Sequence, residues 1–328
     1  MRRKDFLKLG ALFGGGLFSG ASFGGSGKKH VSEASISDTI SNAGLEGSMF
    51  DYADAPIEKV RVAMVGLGNR GSTLTEMLSW LVSNGHAEIV SICDVQPAFL
   101  DRAEARIAKF QSAVPRRIDG SSDENEWKKA CNSEEADLLL VATPWRWHAP
   151  MAMYAMAQGL HVATEVPIAY TVQENLELLK TAERTKRHCI MLENCCYNGE
   201  ELFVLNMVKE GAFGELTHAE CAYIHDLRQL LIDEDYYHNR WRLQHHLERD
   251  GNLYTTHGLG PVCMYMDILR GDNLSHLVSM SSNEAALSKA LRESDDTYLN
   301  SIADKVKCGD VNTTLIKTEQ GKSIMLQF

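Results

Sequence analysis

A glycine turn between a β-type run and a helical run constrains this chain more than any other feature. Residues Val60 to Gly71 read VRVAMVGLGNRG. Val60, Val62, Met64 and Val65 form an apolar run of strand type, and Gly66, Gly68 and Gly71 stand at G-x-G-x-x-G spacing. The segment Ser72 to Leu81 then reads as a helix. In such a strand–turn–helix unit the first glycine makes the turn and the second lets backbone approach a pyrophosphate. The third lets helix pack on strand, and the helix N-terminus faces the phosphates. A second β-type run, Ile89 to Cys93, ends in Asp94, 23 residues after Gly71. An acid there is placed to accept from adenosine ribose hydroxyls. A glycine turn alone often binds nothing, and Asp94 alone could be a solvated turn residue. Together, in this context, they read as a dinucleotide site.

Asp94 favours NAD over NADP. A carboxylate about 4 Å from a 2′-phosphate costs roughly 4 kcal/mol per unit charge at an effective dielectric of 20. No arginine follows directly to reverse that sign; Arg102 and Arg106 lie farther on.

The rest of the first half alternates strand and helix signals. Ala98 to Gln111 reads helical, and Asp137 to Ala142 is a buried strand ended by Thr143-Pro144. Trp145-Arg146-Trp147-His148 and a helix from Ala149 to Gln158 follow. Leu160 to Thr164 is a strand ending in Glu165-Val166-Pro167, Val172 to Lys186 a helix, and Cys189 to Leu192 a strand ending at Glu193-Asn194. This alternation implies a doubly wound parallel α/β sheet of Rossmann type, whose ligands gather at the carboxyl ends of the strands. Gly66–Gly71, Asp94, Pro144–His148, Glu165-Val166 and Asn194 would then line one crevice.

The second half reads as an α+β domain with a mostly antiparallel sheet. Phe203 to Lys209 is helical and Gly214 to His225 alternates as a strand. A polar-aromatic run, Asp235 to Arg242, precedes DGNLYTTHGLGP at Asp250 to Pro261. Pro261 to Leu269 reads helical, and Thr313 to Thr318 with Ser323 to Phe328 reads as a hairpin. The pattern stops inside its last strand, which suggests a fragment. The expected divisions are a signal peptide at 1–27, an arm at 28–56, a cofactor domain at 57–194 and a substrate domain at 195–328.

The leader, Arg2-Arg3-Lys4-Asp5-Phe6-Leu7-Lys8 before a Gly-, Ala- and Phe-rich apolar stretch, reads as a secretory signal. It looks like a twin-arginine signal in an imperfect frame, since Arg3-Lys4 stands where two arginines are usual. Folded export suits a protein that loads its cofactor before crossing a membrane. The leader is too short and glycine-broken for a membrane span. Net charge is −11 with no dense Lys/Arg block, which argues against nucleic acid and anionic membrane as partners. The eight cysteines match no CxxC zinc pair or disulfide scaffold and read mostly as buried thiols. His245-His246 with Glu248 suggests a metal, but adjacent histidines point apart on a helix, so no metal is expected.

The motifs GLGNRG, Trp145–His148, Glu165–Pro167, Glu193-Asn194, Tyr223, Tyr237–Trp241 and Tyr254–Pro261 resemble the Gfo/Idh/MocA oxidoreductases and, more finely, glycoside hydrolase family 109, the NAD-dependent α-N-acetylgalactosaminidases. The likeness runs over about residues 57 to 328. It implies that Gly66, Gly68, Asn69, Arg70, Gly71, Asp94, Trp145, Arg146, Trp147, His148, Glu165, Val166 and Asn194 hold NAD. It implies that Tyr223, Arg242, Tyr254, Thr255, Thr256 and His257 surround the sugar and nicotinamide, Arg242 and Tyr254 reaching the cofactor too. A further substrate tyrosine of the family would lie beyond Phe328. Many dehydrogenases of the wider family carry a proton-transferring lysine where Val166 stands; valine moves no proton, which disfavours net dehydrogenation.

The implied reaction is redox-neutral hydrolysis. Carbon 3 of the sugar is oxidised, carbon 2 loses a proton, the aglycone leaves carbon 1, water adds and carbon 3 is reduced again. The protein must supply proton-transfer groups and dry positioning rather than a carboxylate pair. The candidates are His238, His257, Tyr223, Tyr236 and Tyr237, with His238 and a tyrosine partner favoured. The competing readings are a surface loop for His238, helix entry for His257 and core packing for Trp145 and Trp147. Expected partners are a small glycoside or glycan end, the twin-arginine export machinery and, as an open alternative, a second copy of the chain. A net sugar dehydrogenase and a non-catalytic NAD- or sugar-binding protein remain as other function classes.

Overall fold

The computed structural model describes residues 44–328. The leader expected at 1–27 lies outside the described residues. The described residues divide into two compact units, which meet in sequence between Met191 and Leu192.

Unit 1 is built on a six-stranded parallel sheet of order β3-β2-β1-β4-β5-β6. The strands are β1 (Val60–Val65), β2 (Ala87–Asp94), β3 (Arg116–Asp119), β4 (Leu138–Val141), β5 (His161–Thr164) and β6 (Cys189–Met191). This is the Rossmann order, with its reversal point between β1 and β4. Helices α1 (Asn69–Ser83), α2 (Pro97–Ile107), α3 (His148–Ala157) and α4 (Val172–Thr185) connect the strands. Parallel strands covered on both faces read as continuous apolar runs, which is why VRVAMV and LLLV were legible. The expectation omitted β3: RRID has one buried residue, Ile118, and carries no alternation signal.

Helix α3 packs alanines 149, 152 and 155 into the core with Met151 and Met156, beside Leu139, Val141 and Val162 of the sheet. Helix α4 begins at a full capping box: Thr171 Oγ1 accepts from Glu174 N at 3.1 Å, and Glu174 Oε2 accepts from Thr171 N at 3.2 Å. Such a cap contributes about 1 kcal/mol. The described end of the arm is held on this unit. The Glu183 carboxylate accepts from the amides of Glu46, Gly47 and Ser48, and Asp54 pairs with Arg187.

Unit 2 carries a four-stranded mixed sheet of order β7-β10-β9-β8. Its strands are β7 (His218–Ala222), β8 (Leu274–Ser281), β9 (Asn312–Thr318) and β10 (Ser323–Gln327). The β8/β9 and β9/β10 pairs are antiparallel and β10/β7 is parallel. Its helices are α5 (Gly199–Lys209), α6 (Arg228–Ile232), α7 (Trp241–Glu248), α8 (Thr256–Tyr265), α9 (Ala286–Arg292) and α10 (Thr297–Ile302). Val262 and Met266 pack on Ile316 and Ile324 of the sheet. A second core gathers Leu231, Leu243, Leu247, Leu287, Leu291 and Leu299.

Two elements differ from expectation. Helix α8 starts at Thr256 rather than Pro261 and contains that proline, which costs it one backbone bond. Left-handed φ values of +56° at Asp267 and +63° at Leu269 follow its end. The run from Trp241 is helical, entered through Asn239 and Arg240 at φ +56° and +53°. Leu243, His246 and Leu247, at i, i+3 and i+4, were the signal for it. Among the described residues no helix is long and apolar enough to cross a membrane.

Candidate functional site

In unit 1 the glycine turn is held by sterics and by Asp94. Gly66 sits at φ +87°, and a Cβ there would meet Ala142 O at 2.5 Å. A Cβ on Gly71 would stand 2.0 Å from Gly66 O, which fixes the third glycine absolutely. Gly68 meets only the Phe99 ring, at 3.3 Å. It is the N-cap of α1, gives that helix no side-chain cap, and no acid follows in the first turn. The backbone amides of that turn are therefore aimed at an anion rather than spent on side chains. This cradle fits the pyrophosphate of a dinucleotide.

Asp94 has partners within the protein. Its Oδ2 accepts from Leu67 N at 2.7 Å and its Oδ1 from Gln96 N at 2.8 Å, so it ties the glycine turn to the end of β2. A carboxylate has further lone pairs, so these bonds leave the ribose role open.

Other predicted cofactor residues pair among themselves. Arg70 donates to Glu165 Oε1 from Nε at 3.0 Å and Nη2 at 2.7 Å, joining the first turn of α1 to the end of β5. Asn69 and Arg70 are exposed, while Glu165 and Val166 are buried. Val166 precedes a cis peptide bond to Pro167.

The His148 side chain has partners within the protein. It is buried, with Nδ1 2.7 Å from Pro167 O and Nε2 2.7 Å from Thr143 O. The ring braces the ends of β4 and β5, and burial pushes its pKa down against those carbonyl contacts. Trp145 is buried; Trp147 packs edge-on to Trp127 at 6.4 Å, and Arg146 lies over Trp147 while pairing with Glu124. The Trp147 side chain thus serves the core of unit 1.

In unit 2 a residue absent from the expected site set organises the chemistry. Glu193 caps the turn Asn194–Cys196, its Oε1 accepting from Cys195 N at 3.0 Å. The same oxygen lies 2.5 Å from His257 Nδ1. Burial pushes the Glu193 carboxyl up, but the His257 bond, the Thr256 hydroxyl, the charge of His257 and the Cys195 amide outweigh it and leave it below its ordinary value. Glu193 is thus the ionised partner, and its Oε1 fixes the orientation of the His257 ring through Nδ1. Gly260 explains the close approach: a Cβ there would stand 3.0 Å from Glu193 Cγ and 2.8 Å from Cys196 Sγ. Gly258 likewise lets α8 lie on β7, with a Cβ 3.0 Å from Ala222 N.

Aromatic rings wall this pair. The Tyr223 ring lies 5.2 Å from His257, 4.8 Å from Tyr254 and 4.4 Å from His225. Tyr254 stands edge-on to His257 at 4.7 Å. Arg242 is buried beneath Tyr254, its guanidinium carbon 4.9 Å from that ring, and donates to Tyr237 Oη at 2.8 Å. Burial raises the Tyr237 phenol above its usual value, against the lowering effect of Arg242. Tyr223, Arg242, Tyr254, Thr256 and His257 therefore come together, with Thr255 as the N-cap of α8.

His238 and Tyr236 do not join them. His238 is exposed, its Nε2 facing the Asn239 amide at 3.2 Å, and Tyr236 is 43% exposed. The left-handed pair Asn239-Arg240 turns the chain so that Tyr237 faces inward, a reversal no side-chain pattern announced. Asn194 is exposed beside Cys195. All eight cysteines are free; three are buried and five are half-buried, fewer buried than expected.

Residues 60–193 match the oxidoreductase family with an NAD-binding Rossmann fold, and residues 197–328 match the C-terminal domain of glycosyl hydrolase 109. An alpha-N-acetylgalactosaminidase of Bacteroides fragilis is 42% identical over 279 residues, covering 84% of this chain and 64% of that protein. A glycosyl hydrolase family 109 protein of a Shewanella species is 39% identical over 330 residues, covering 100% of this chain and 68% of that protein. The chain thus spans about two thirds of the length of these curated relatives. In fold it is similar to myo-inositol 2-dehydrogenase of Lactobacillus plantarum, with a TM-score of 0.60 at 17% identity over 82% of this chain and 69% of that one. NAD is the dinucleotide that the cradle of unit 1 serves. By its match across the full described length, the chain belongs to glycosyl hydrolase family 109.

Proposed function

We propose that the protein hydrolyses terminal α-N-acetylgalactosamine residues by a redox-neutral route in which NAD stays bound. The observation that carries this reading is the Glu193–His257 pair walled by Tyr223 and Tyr254, in a chain whose other unit is an NAD fold. The relatives' names supply the sugar; the residues supply the proton chemistry. When bound, the cofactor supplies reversible hydride acceptance at a sugar carbon. Glu193 orients the His257 ring and stabilises the imidazolium formed when His257 takes a proton. Tyr223, beside His257, is the second proton-transfer candidate. Arg242, held by Tyr237, orients polar groups of the ligand, and the aromatic wall keeps water from the reacting face. Val166 at the end of β5 offers no proton-transfer group, which sets this chain apart from a lysine-dependent dehydrogenase.

We also propose export through the twin-arginine route, supported by the basic leader at Arg2 to Lys8 and the apolar stretch behind it. Cell fractionation with Arg2-Arg3 replaced by lysines tests this; unchanged export would remove the proposal. Self-association stays an open alternative, tested by sedimentation.

The test of the reaction is cleavage of an aryl α-N-acetylgalactosaminide in deuterated water with no added NAD. Aglycone release with one carbon-bound deuterium at carbon 2 is expected. Release without deuterium argues against the oxidation–elimination route. NADH formation from simple sugars without release would replace this reading with net dehydrogenation.

A further inference from the structure

We propose that Glu193, Cys195 and His257 form a binding site for a thiophilic divalent cation, zinc by its donor chemistry, whose occupation blocks the proton-transfer pair. The blocking rests on the reading of that pair given above; the binding does not. One carboxylate oxygen, the Cys195 Sγ and one imidazole nitrogen lie within 4.8 Å of one another, and among the described residues no other group of three such ligands is so placed. A tetrahedral zinc ion with these donors needs them roughly 3.4–3.6 Å apart, so closure takes about 1 Å. A second observation points the same way. Glu193 Oε2 is buried with no hydrogen-bond partner, on a side chain only 7% exposed. An orphaned carboxylate oxygen of this kind is costly unless something fills its lone pairs. Neither the cysteine spacing nor His245-His246 with Glu248 marks this set in the sequence, because His257 stands 64 residues from Glu193.

The local chain geometry builds the site cheaply. Cys195 N is bonded to Glu193 Oε1, so one tight turn sets both donors, and the missing side chain of Gly260 lets α8 bring His257 against them. Carboxylate, thiolate and imidazole are the three donor types that zinc takes, and three protein ligands leave the fourth position to water. Zinc takes the cysteine as its thiolate, so binding the cation releases the thiol proton to solvent. A cation held by both Glu193 and His257 replaces the proton they share, and His257 can then no longer cycle between imidazole and imidazolium.

Cobalt(II) alone, then zinc(II), added to the full-length NAD-loaded protein after chelator treatment, tests the proposal. Expected are one cobalt per chain, a near-ultraviolet thiolate-to-cobalt charge-transfer band, and its loss on adding zinc. Cys195→Ser should remove the band while leaving uninhibited glycoside cleavage unchanged. Micromolar zinc should lower wild-type cleavage at least tenfold, reversibly with chelator, and Cys195→Ser should need about 10- to 100-fold more zinc for the same loss. No charge-transfer band, or a band that survives in Cys195→Ser, overturns the site. A band with undiminished cleavage keeps the site and overturns the blocking. A band in a protein that cleaves no glycoside supports the site and sinks the functional reading instead.

Discussion

The two units treat the polar groups of their candidate sites in opposite ways. In unit 1 the polar side chains at the strand ends are spent on the protein itself: Asp94 on two backbone amides, Arg70 on Glu165, and His148 on two carbonyls. Beside the lone pairs left on Asp94, a ligand meets backbone, presented by a turn that tolerates no Cβ at Gly66 or Gly71. In unit 2 the buried polar atoms Glu193 Oε2 and His246 Nε2 have no hydrogen-bond partner, among close-packed aromatic rings. The difference teaches what each unit is for. A site that binds a fixed diphosphate wants rigid backbone donors, whereas a site that moves protons wants side chains whose capacity is not already used.

The sharpest way to break this comparison is at His257. His257→Phe should lower kcat by about 10²- to 10⁴-fold with the fold intact by circular dichroism, and Glu193→Gln should fall between that variant and wild type. Near-normal turnover in both would mean that unit 2 is not the side-chain site. The matching test in unit 1 is Gly71→Ala. With its Cβ 2.0 Å from Gly66 O, it should cost about 3 kcal/mol in a denaturant titration and abolish NAD binding, because backbone has nowhere to yield.

Acidification should report on the buried histidines of unit 2 as well as on His148 of unit 1. Burial and the charge of Arg249 hold His245 down at about 4, and burial and Arg242 hold His246 at about 4. Their folded pKa values lie below the unfolded one, so the unfolded chain takes the protons first. Stability present above about pH 6.5 is lost as pH falls toward 4, by on the order of 1 kcal/mol per pH unit for each group. Thermal melts across that window should show the slope, and His246→Gln should flatten it.

The smaller effects separate neighbours. Tyr237→Phe removes the acceptor that holds Arg242 and should raise KM about tenfold, the equivalent of one charge-assisted hydrogen bond. Tyr236→Phe and His238→Ala, both exposed, should change kcat/KM by less than about twofold. A large loss in either would return the exposed turn to the site.

Much of unit 1 was legible because its signals are local. Period, glycine spacing and a strand-terminal acid are properties of neighbouring residues, and VRVAMVGLGNRG with Asp94 needed no distant partner to be read. Locality says less at His148, where a histidine after Thr143-Pro144 gives no sign of the Pro167 carbonyl found against it. In unit 2 the aromatic and histidine runs marked the right region but not the right members. Choosing His257 over His238, and Tyr237 over Tyr236, depends on a left-handed turn at Asn239-Arg240 and on a glutamate 64 residues from its histidine.

By itself, then, the sequence determined the nucleotide turn, the strand–helix alternation of unit 1 and the family to which the chain belongs. The first two follow from short-range sterics and periodicity, which act within a few residues, and the family from the likeness of its motifs. Only the tertiary structure decided that Glu193 holds His257, that Arg242 rests on Tyr237 and Tyr254, and that His148 is a brace. Each of those is a choice of partner for a buried polar group. Burial makes such a choice matter energetically, and burial is known only once the chain has closed on itself.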